Sequence, residues 1–374
     1  MSAPGDWLDD LGALQHGPHH IAPECQHFGR CGGCQLQHCD DEVLRQFVED
    51  RVRMAASGQG IGLPDPAPVH LSPPYSRRRA SLYGQNGGGG PVIGYREHRA
   101  HRVVNLRECP VLSRQLFESI KPLRQYLAQR RGRYGVQIEL TLTDQGVDCA
   151  LQNLTVEGLE QTESLLDLAR DNSFARISVD QGYGAETMWE PAPVTVTFSG
   201  VAVAFPASSF LQATLDGEEC LRNAVTRWTQ GCNTIADLFS GLGTFSFALA
   251  GQAKVLAAEA SRSAHLACKS AAQSSQLPVF ALHRDLYRNP LMPDELNRFD
   301  AIVLDPPRAG AKEQIRCLAE SHVPKIVYVS CNPSSWSRDA RTLGDAGWRL
   351  VELQPVGQFR WSTHVELASM FVRE

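Results

Sequence analysis

The C-terminal part of the chain alternates short apolar runs with stretches of helical periodicity. The apolar runs are rich in branched side chains, which predicts buried strands at 234–239, 254–259, 299–305 and 325–330. Helical periodicity between these runs predicts helices at 244–250, 262–275 and 311–321. Such alternation predicts a mostly parallel, doubly wound sheet with helices on both faces, so we expect the α/β fold class.

The rest of the chain has a mixed pattern. Apolar residues at helical spacing predict helices at 41–56, 113–130, 156–170 and 216–229. Alternation and β-branching predict strands in IELTLTD, VDCALQN and PVTVTFSG. The last runs, WRLVELQPV and HVELASMFVRE, predict a final strand pair at the sheet edge. We therefore expect three domains, 1–112, 113–212 and 213–374, of which the middle one is a smaller α+β domain.

Glycine and proline indicate where these elements are connected. Residues 58–74 are rich in both and predict a linker, and GQNGGGGP at 84–91 predicts the turn of a hairpin between ASLY and VIGY. Residues 1–24 contain Gly, Pro, Asp and His with little periodicity. We expect this first segment to be loosely ordered.

Composition places the chain among ordinary globular proteins. Of its 374 residues, 43% are hydrophobic and 21% are charged. No apolar run approaches the roughly 18–20 residues that a membrane span requires, and the acidic N-terminus lacks the basic and apolar regions of a signal peptide. We therefore expect a cytoplasmic monomer without a membrane partner, whose 11 cysteines serve metal binding, catalysis or the core.

The segment 77–107 carries an excess of positive charge, although the whole chain has a net charge of −5. It contains one acidic residue, Glu97, and seven arginines, which are Arg77, Arg78, Arg79, Arg96, Arg99, Arg102 and Arg107. Guanidinium groups bind phosphates with two parallel hydrogen bonds. The segment therefore predicts a contact with nucleic acid, and a solvated basic face is the alternative.

Cysteines are concentrated near the N-terminus, in CQHFGRCGGCQLQHC at 25–39. The spacing is C-x5-C-x2-C with Cys39 nearby, and Cys109 follows in VVNLRECPVL. Gly32 and Gly33 let the backbone fold tightly around a centre, with N–H groups facing sulfur. Soft thiolates suit an iron–sulfur cluster or zinc, and the spacing alone leaves both open.

A glycine-containing turn follows the first strand of the α/β region, in DLFSGLG at 237–243. Glycines there let a ligand approach the backbone. Glu259, about 20 residues later, is placed to hold ribose hydroxyls, and Asp285 is placed to reach an adenine edge. The missing third glycine disfavours a dinucleotide, so the pattern favours S-adenosylmethionine; a plain turn with an exposed acid is the alternative.

Two further motifs follow strands of the same sheet. DPPRAG, which begins at Asp305, has two prolines that fix an extended loop. VSCNP places Cys331 where a strand meets a loop, and Pro333 has no N–H for a sheet, so the chain must turn there. Because ligands collect at the carboxyl edge of open α/β sheets, we expect Asp305, Arg308 and Cys331 to face one crevice. The alternative for Cys331 is a structural role as a buried cysteine at the end of a strand.

In this order the motifs resemble the RNA 5-methyluridine methyltransferases, the uracil-C5 methyltransferase family with an iron–sulfur cluster. The resemblance runs from Cys25 to the C-terminus, through C-x5-C-G-G-C-x2-Q-H, CPVL, the Phe-Leu-Gln segment at 210–212, DLFSGLGTF, DPPRAG, VSCNP and the terminal HVE. It implies a Rossmann-like class I methyltransferase domain preceded by an iron–sulfur segment. It also implies S-adenosylmethionine as the methyl donor and RNA as the substrate.

The resemblance further implies a role for each matching residue. Cys331 would be the nucleophile and Glu366 the base. The implied cofactor-binding residues are Gln212, Phe239, Gly241, Thr244, Glu259, Asp285 and Asp305. The implied ligands of a 4Fe-4S cluster are Cys25, Cys31, Cys34 and Cys109.

The chain departs from the family pattern at several positions. Family members usually have Cys where Ser240 stands and Asn where Thr214 stands, and Asp and Pro are expected near Gly357 and Arg360. None of these departures removes the nucleophile, the base or a cluster ligand. We do not expect the N-terminal RNA-binding barrel of some members, because Cys25 comes too early. This favours the members that modify large-subunit ribosomal RNA, with transfer RNA as the alternative.

The chemistry of uracil methylation explains why a cysteine and a carboxylate are needed. C5 of uracil is too weak a nucleophile to take a methyl group directly. A thiolate that adds at C6 turns C5 into an enolate-like carbon, which attacks the sulfonium methyl group. A base then removes the C5 proton and the thiolate leaves. One cysteine and one carboxylate must therefore share a pocket that an unstacked uracil can enter, with His364 as the alternative base.

Two other classes of function are rivals. One is an RNA-binding protein with an inactive methyltransferase fold, which the intact Cys331 and Glu366 disfavour. The other is an iron–sulfur redox enzyme, for which the sequence contains no second cofactor motif. Measuring the transfer of a labelled methyl group to RNA distinguishes a methyltransferase from both rivals.

Overall fold

The computed structural model describes residues 6–10, 14–87, 89–98, 100–130 and 132–373. Within these ranges the strands are β1 (Trp7–Leu8), β2 (Leu14–Gln15), β3 (His70–Leu71), β4 (Arg79–Gly87), β5 (Gly90–Gly94), β6 (Gly135–Thr143), β7 (Gly146–Gln152), β8 (Arg176–Asp180), β9 (Ala185–Trp189), β10 (Thr195–Phe198), β11 (Val201–Ala204), β12 (Thr234–Leu238), β13 (Lys254–Glu259), β14 (Val279–His283), β15 (Ala301–Leu304), β16 (Lys325–Ser330), β17 (Arg349–Gly357) and β18 (Glu366–Val372). The helices there are α1 (Asp41–Ser57), α2 (Arg114–Glu118), α3 (Ile120–Ala128), α4 (Gly158–Asp171), α5 (Leu215–Trp228), α6 (Thr244–Leu249), α7 (Arg262–Ser274), α8 (Pro293–Leu296), α9 (Lys312–Glu320) and α10 (Pro333–Asp345).

A large mixed sheet forms the C-terminal region, in the order β14-β13-β12-β15-β16-β18-β17-β3. The strands from β14 to β16 run parallel, and β18 is antiparallel to both of its neighbours. Strands β12, β15 and β16 are buried along almost their whole length, because they are apolar on both faces and helices cover them. This confirms the predicted α/β class with a mostly parallel sheet.

A second sheet, in the order β5-β4-β6-β7-β8-β9, forms the middle of the molecule. Its pairs are antiparallel except β7 with β8, which α4 connects. Strand β4 pairs with both β5 and β6. The sheet therefore extends across position 112, where the sequence analysis separates the first two domains.

Helix α1 attaches the N-terminal segment to the C-terminal sheet and confirms the helix predicted at 41–56. Asp40 caps it by accepting a hydrogen bond from the backbone N–H of Val43 at 2.9 Å. Its buried face, with Val48, Val52 and Ala56, belongs to the hydrophobic core of that sheet. The cysteine segment, which directly precedes α1, is thereby held beside the C-terminal sheet.

Several sequence predictions are wrong in detail. The final strand pair does not lie at the edge: β18 pairs with β16 from Leu367 to Val372, and β3, from the predicted linker, lies beyond β17. The single helix predicted at 113–130 is divided into α2 and α3 at Ser119. At Pro333 the chain leaves the sheet, as predicted, and it also begins α10, because the missing N–H is not needed in the first helical turn. The loosely ordered N-terminal segment contains the paired strands β1 and β2.

Among the described residues, none of the helices combines the length and apolarity that crossing a membrane would take.

Candidate active site

The carboxyl ends of three parallel strands lie side by side in the C-terminal sheet. In the register of β12, β15 and β16, Leu238 pairs with Leu304 and Leu304 with Tyr328. The three motifs at 239–243, 305–310 and 331–333 directly follow these strands. The structure therefore brings the predicted turn, the DPPRAG loop and Cys331 to one edge of the sheet.

Cys331 lies between β16 and α10 and is half-buried. The next residue, Asn332, is the N-cap of α10, and its Nδ2 donates to the backbone carbonyl of Arg308 at 2.9 Å. This hydrogen bond joins the SCNP and DPPRAG motifs. Burial, with the Glu366 and Asp305 carboxyls, raises the pKa of the Cys331 thiol to about 11, and the Arg308 guanidinium opposes this rise. The thiol therefore needs compensating positive charge to ionise.

Glu366 reaches the same place through the antiparallel pairing of β16 with β18. The last pair of this register is Ser330 with Leu367, so the next positions, Cys331 and Glu366, face each other across the strand ends. Glu366 is only 3% exposed. Both side chains line a cavity of about 890 Å³, which is large enough for a nucleobase and part of a cofactor.

Two buried amides connect Glu366 with Asp305. Gln358 Nε2 donates to Gln212 Oε1 at 2.8 Å, and Gln212 Nε2 donates to Asp305 Oδ2 at 3.2 Å. Burial, then the Asp305 carboxyl, raises the pKa of Glu366 to about 8, against a hydrogen bond from the Gln358 side chain. The sequence motifs identify Gln212 but not Gln358. Its sequence signal, one polar residue directly after an apolar strand, is weak.

His364, the alternative base, lies at the rim of the same cavity. Its Nδ1 accepts a hydrogen bond from Arg308 Nη2 at 3.4 Å, and its ring meets that of Phe359 at 5.8 Å between centroids. Burial, with Arg308, lowers the pKa of His364. Both candidate bases thus face Cys331, with Glu366 enclosed and His364 exposed.

The turn after β12 has the backbone geometry of a ligand cradle. Phe239, Gly241 and Gly243 have φ values of 61°, 54° and 97°, in the left-handed region. A Cβ on Gly241 would meet nothing within 4 Å, so its backbone is open to a ligand. Glu259 accepts hydrogen bonds from the N–H of Gly241 at 2.9 Å and of Ser261 at 2.6 Å. Each carboxylate oxygen keeps a lone pair that a ribose hydroxyl can use.

The remaining residues expected at the cofactor lie around this turn. Thr244 begins α6, and Asp285 follows β14 by two residues. Asp285 accepts a hydrogen bond from the N–H of Tyr287 at 3.0 Å, and the Tyr287 ring lies 5.5 Å from that of Phe239. Two aromatic rings and a carboxylate therefore border the side of the turn where the sequence analysis places adenine.

Two aspartates, buried Asp237 and half-buried Asp305, lie beside the turn after β12. Burial raises the pKa of Asp237 to about 7 and, together with Asp237, that of Asp305 to about 8. Asp237 Oδ1 and the Ser240 hydroxyl are buried without a hydrogen-bond partner among the described residues. Unsatisfied acceptors and excess acid fit a polar, cationic ligand such as S-adenosylmethionine, whose sulfonium would favour the ionised carboxylates.

The predicted cluster ligands line one small cavity, and they are Cys25, Cys31, Cys34 and Cys109. Backbone N–H groups face the sulfur atoms: that of Gly33 lies 3.5 Å from Cys31 Sγ, and that of Leu112 faces Cys109. Burial raises the pKa of all four thiols, that of Cys34 to about 12. Cys39 packs in an apolar cluster instead. The donor set therefore fits a soft metal centre whose positive charge stabilises the thiolates.

The cavity lined by the four cysteines lies close to the edge of the sheet that carries Cys331. The backbone N–H groups of Gln35 and Leu36 donate to the carbonyl of Trp361, at 2.7 and 2.9 Å, in the loop that precedes β18. Gly33 and Cys34 line the cavity that also contains Cys331. The cysteine segment thus forms one wall of the active-site cavity.

The arginine-rich segment has a partly structural role. Arg78 forms an ion pair with buried Glu218, and Arg79 Nη1 donates to the carbonyl of Leu211 at 2.9 Å. Arg78 Nε also donates to the carbonyl of Gln212 at 3.1 Å, so both arginines hold the 210–212 segment in place. Arg99 lies outside the described residues.

The departures from the family pattern are accommodated locally. Thr214 caps α5 with its side chain. A Cβ on Gly357 would lie 3.0 Å from Leu71 Cδ1, so this strand position has little room for a side chain. Arg360 pairs with Asp41 at the start of α1.

Comparison with known sequences finds a family profile and RNA methyltransferases that cover most of this chain. A sequence profile described as tRNA (Uracil-5-)-methyltransferase matches residues 291–374. An uncharacterised RNA methyltransferase of Zymomonas mobilis is 48% identical over 100% of this chain and 94% of its own length. The 23S rRNA (uracil(1939)-C(5))-methyltransferase RlmD of Pectobacterium carotovorum is 30% identical over 96% of this chain and 82% of its own length.

A solved structure has a similar fold. The tRNA (uracil-54, C5)-methyltransferase of Pyrococcus abyssi, in complex with S-adenosyl-L-homocysteine, superposes with a TM-score of 0.74. The match covers 96% of this chain and 87% of the archaeal chain, at 22% identity. At this identity the likeness concerns the fold.

Proposed function

Because the chain belongs to the RNA uracil-5 methyltransferase family, we propose that it methylates C5 of a uridine in 23S-type ribosomal RNA through a covalent bond between Cys331 and C6. The chain is an S-adenosylmethionine-dependent RNA methyltransferase. The target RNA and the covalent step are the parts that we propose. The observation that carries the proposal is the pairing of β16 with β18, which sets Cys331 opposite Glu366 in one cavity.

In the proposed reaction the side chains act in sequence. Cys331, as a thiolate, adds to C6 and makes C5 nucleophilic. S-adenosylmethionine, when bound, supplies an electrophilic methyl group on a sulfonium cation. Once C5 carries the methyl group, Glu366 accepts the C5 proton, the electrons of that C–H bond restore the C5–C6 double bond, and the Cys331 thiolate leaves. Glu366 must be ionised for this step, and burial raises its pKa to about 8. The sulfonium of a bound methyl donor would favour the ionised form.

Two aromatic rings at the cavity, those of exposed Phe210 and half-buried Phe359, support an RNA substrate whose target base leaves its stack. Phe210 is 64% exposed, and the Arg79 guanidinium lies 5.1 Å from its ring centre. Arg77 lies 5.4 Å from the ring centre of Phe359 in the same way. Both rings line the cavity of Cys331. Such pairs offer stacking surfaces for bases and positive charge for phosphates.

Ribosomal RNA is favoured over transfer RNA by the relatives. The enzyme named for 23S ribosomal RNA is 30% identical over 96% of this chain. The archaeal transfer RNA enzyme is 22% identical and supports only the fold. A uridine in the T-loop of transfer RNA is the alternative target.

Deletion of the gene should remove one 5-methyluridine from 23S ribosomal RNA. Mass mapping of ribosomal and transfer RNA from the deletion strain measures this directly. Reintroducing the wild-type gene should restore the methyl group, whereas a Cys331→Ala gene should not. A methyl group lost from the T-loop of transfer RNA, with ribosomal RNA unchanged, would establish the alternative target.

We also propose that the four clustered cysteines hold a 4Fe-4S cluster rather than zinc. Ligands of a tetrahedral zinc site with Zn–S bonds of about 2.3 Å have sulfur atoms about 3.8 Å apart. Within the described chain, no three of these sulfur atoms lie within 4.8 Å of one another. The wider spacing supports the larger cluster, in which each cysteine binds a different iron.

Protein purified without oxygen should therefore be brown, with broad absorbance near the visible–ultraviolet border and about four iron and four sulfide ions per chain. Cys34→Ser should lose most of the iron and sulfide, because it removes one ligand. Cys220→Ser, a matched change of a half-buried cysteine on α5, should retain them. Zinc bound to sulfur ligands, with no sulfide present, would contradict this assignment.

A further inference from the structure

A second group of metal-ligating side chains lies near the N-terminus, apart from the cysteines. It consists of Asp6, His16 and His20, whose ligand atoms all lie within 4.8 Å of one another. His20 Nδ1 is 3.3 Å and His16 Nδ1 is 3.7 Å from the same oxygen, Asp6 Oδ2. We propose that these side chains form a structural site for a divalent transition ion of the zinc class.

The distances also match those between ligands of one ion. His20 Nδ1 and Asp6 Oδ2 form a long hydrogen bond of 3.3 Å, whereas the 3.7 Å contact of His16 is too long for one. A tetrahedral zinc ion binds nitrogen and oxygen at about 2.0–2.1 Å, so its ligand atoms are about 3.4 Å apart. The two measured separations lie on either side of this value.

The two oxygens of the carboxylate have different neighbours. The backbone N–H of Gly17 donates to Asp6 Oδ1 at 2.6 Å, and Asp6 Oδ2 is the oxygen that both histidines approach. The Asp6 side chain has no exposed surface. A buried carboxylate held by an outer hydrogen bond and aimed at two imidazoles is the arrangement that zinc sites use.

We assign a fourth ligand to His38, whose ring nitrogens lie outside the 4.8 Å grouping of the other three. His38 is 2% exposed, and neither of its ring nitrogens has a hydrogen-bond partner among the described residues. Its ring centre lies 5.7 Å from that of His20. Buried polar groups are almost always paired, so metal ligation would account for this side chain. His16, which stacks on His20 at 3.6 Å, has a side chain that is 54% exposed, and so it has room to rotate toward tetrahedral geometry.

The ion would fasten the first segment of the chain to the cysteine region. His16 and Asp6 belong to the segment that contains β1 and β2, whereas His38 directly precedes Cys39, which pairs with His20 in an isolated bridge. Nitrogen and oxygen donors suit zinc, while the four thiolates suit iron and sulfide, so the two sites select different metals. The proposal does not depend on the reaction that the enzyme catalyses.

The test uses the full-length protein, purified without oxygen, supplied with zinc and dialysed against a weak chelator. We expect about one zinc ion per chain in addition to iron. X-ray absorption at the zinc edge should show nitrogen and oxygen at about 2.0 Å and no sulfur at 2.3 Å. The double variant His16→Ala/His20→Ala should lower zinc affinity at least about tenfold while it keeps the iron content and the melting temperature of the methyltransferase domain.

His19→Ala is the matched control. His19 lies in the same segment but binds Asp40 at 2.9 Å instead of Asp6, so this variant should bind zinc as the wild type does. Three results would overturn the proposal: no zinc retained by the wild type, zinc on sulfur ligands, or equal zinc affinity in the double variant and the wild type.

Discussion

Replacing Cys331 with alanine should reduce methyl transfer to RNA by at least about 10³-fold, because the covalent route through C6 is lost. Affinity for S-adenosylmethionine should stay within about twofold of the wild type, since the thiol acts on the RNA and not on the cofactor. Transfer of a labelled methyl group under single-turnover conditions measures the first effect, and calorimetric titration with the cofactor measures the second.

Cys317→Ala is the matched control for this experiment, because it removes another half-buried cysteine, on α9. It should leave the rate within about twofold of the wild type. Activity of Cys331→Ala within about tenfold of the wild type would exclude Cys331 as the nucleophile, whatever the control shows.

Changing Glu366 to glutamine should stop the reaction after the methyl group has been transferred. The product of that step has a saturated C5, which carries both the methyl group and its proton, and Cys331 bonded to C6. Glutamine keeps the shape of the side chain but removes its basicity, so the proton stays and the thiolate cannot leave. We expect one methyl group per enzyme and a protein–RNA adduct that survives denaturing electrophoresis.

The double variant Cys331→Ala/Glu366→Gln should form no adduct, which checks that Cys331 carries the bond. His364→Ala separates the two candidate bases, since His364 lies at the rim of the cavity and Glu366 within it. If His364 were the base, His364→Ala would trap the adduct and Glu366→Gln would turn over repeatedly. Multiple turnovers of Glu366→Gln without an adduct would therefore refute the assignment of Glu366.

The parallel core of the fold could be predicted because its signals are local. Strands β13 and β16 lie where the apolar runs at 254–259 and 325–330 predict them. Helix α1 begins at the residue after its cap, Asp40. In each case the sequence signal lies within the element or directly beside it. Contacts with residues distant in sequence are therefore not needed to locate the element.

Elements that depend on distant contacts could not be predicted. Strand β18 is recognisable as a strand, but its insertion between β16 and β17 results from a register that local pattern does not encode. The two-residue strand β3 pairs only through Val356 and Gly357, inside a segment whose composition predicts a linker. Short elements of this kind depend on the partner strand.

The candidate site was predictable as a set of residues but not as a geometry. Strand-end motifs place Asp305 and Cys331 at one edge, because parallel strands share an edge. Glu366 reaches them through the antiparallel register of β18, and Gln358 through buried hydrogen bonds. Neither contact has a signal in the local sequence. The cluster of Asp6 with two histidines likewise depends on a pairing that local pattern does not encode, that of β1 with β2.

The most direct test of the account measures the loss of the C5 hydrogen. Ribosomal RNA transcribed with [5-³H]uridine is incubated with the enzyme and S-adenosylmethionine, and tritium released into water is compared with methyl groups transferred. We predict one tritium released for each methyl group, release that requires Cys331, and 5-methyluridine as the methylated nucleoside. Methyl transfer without tritium release, or a methyl group on another nucleoside, would contradict it.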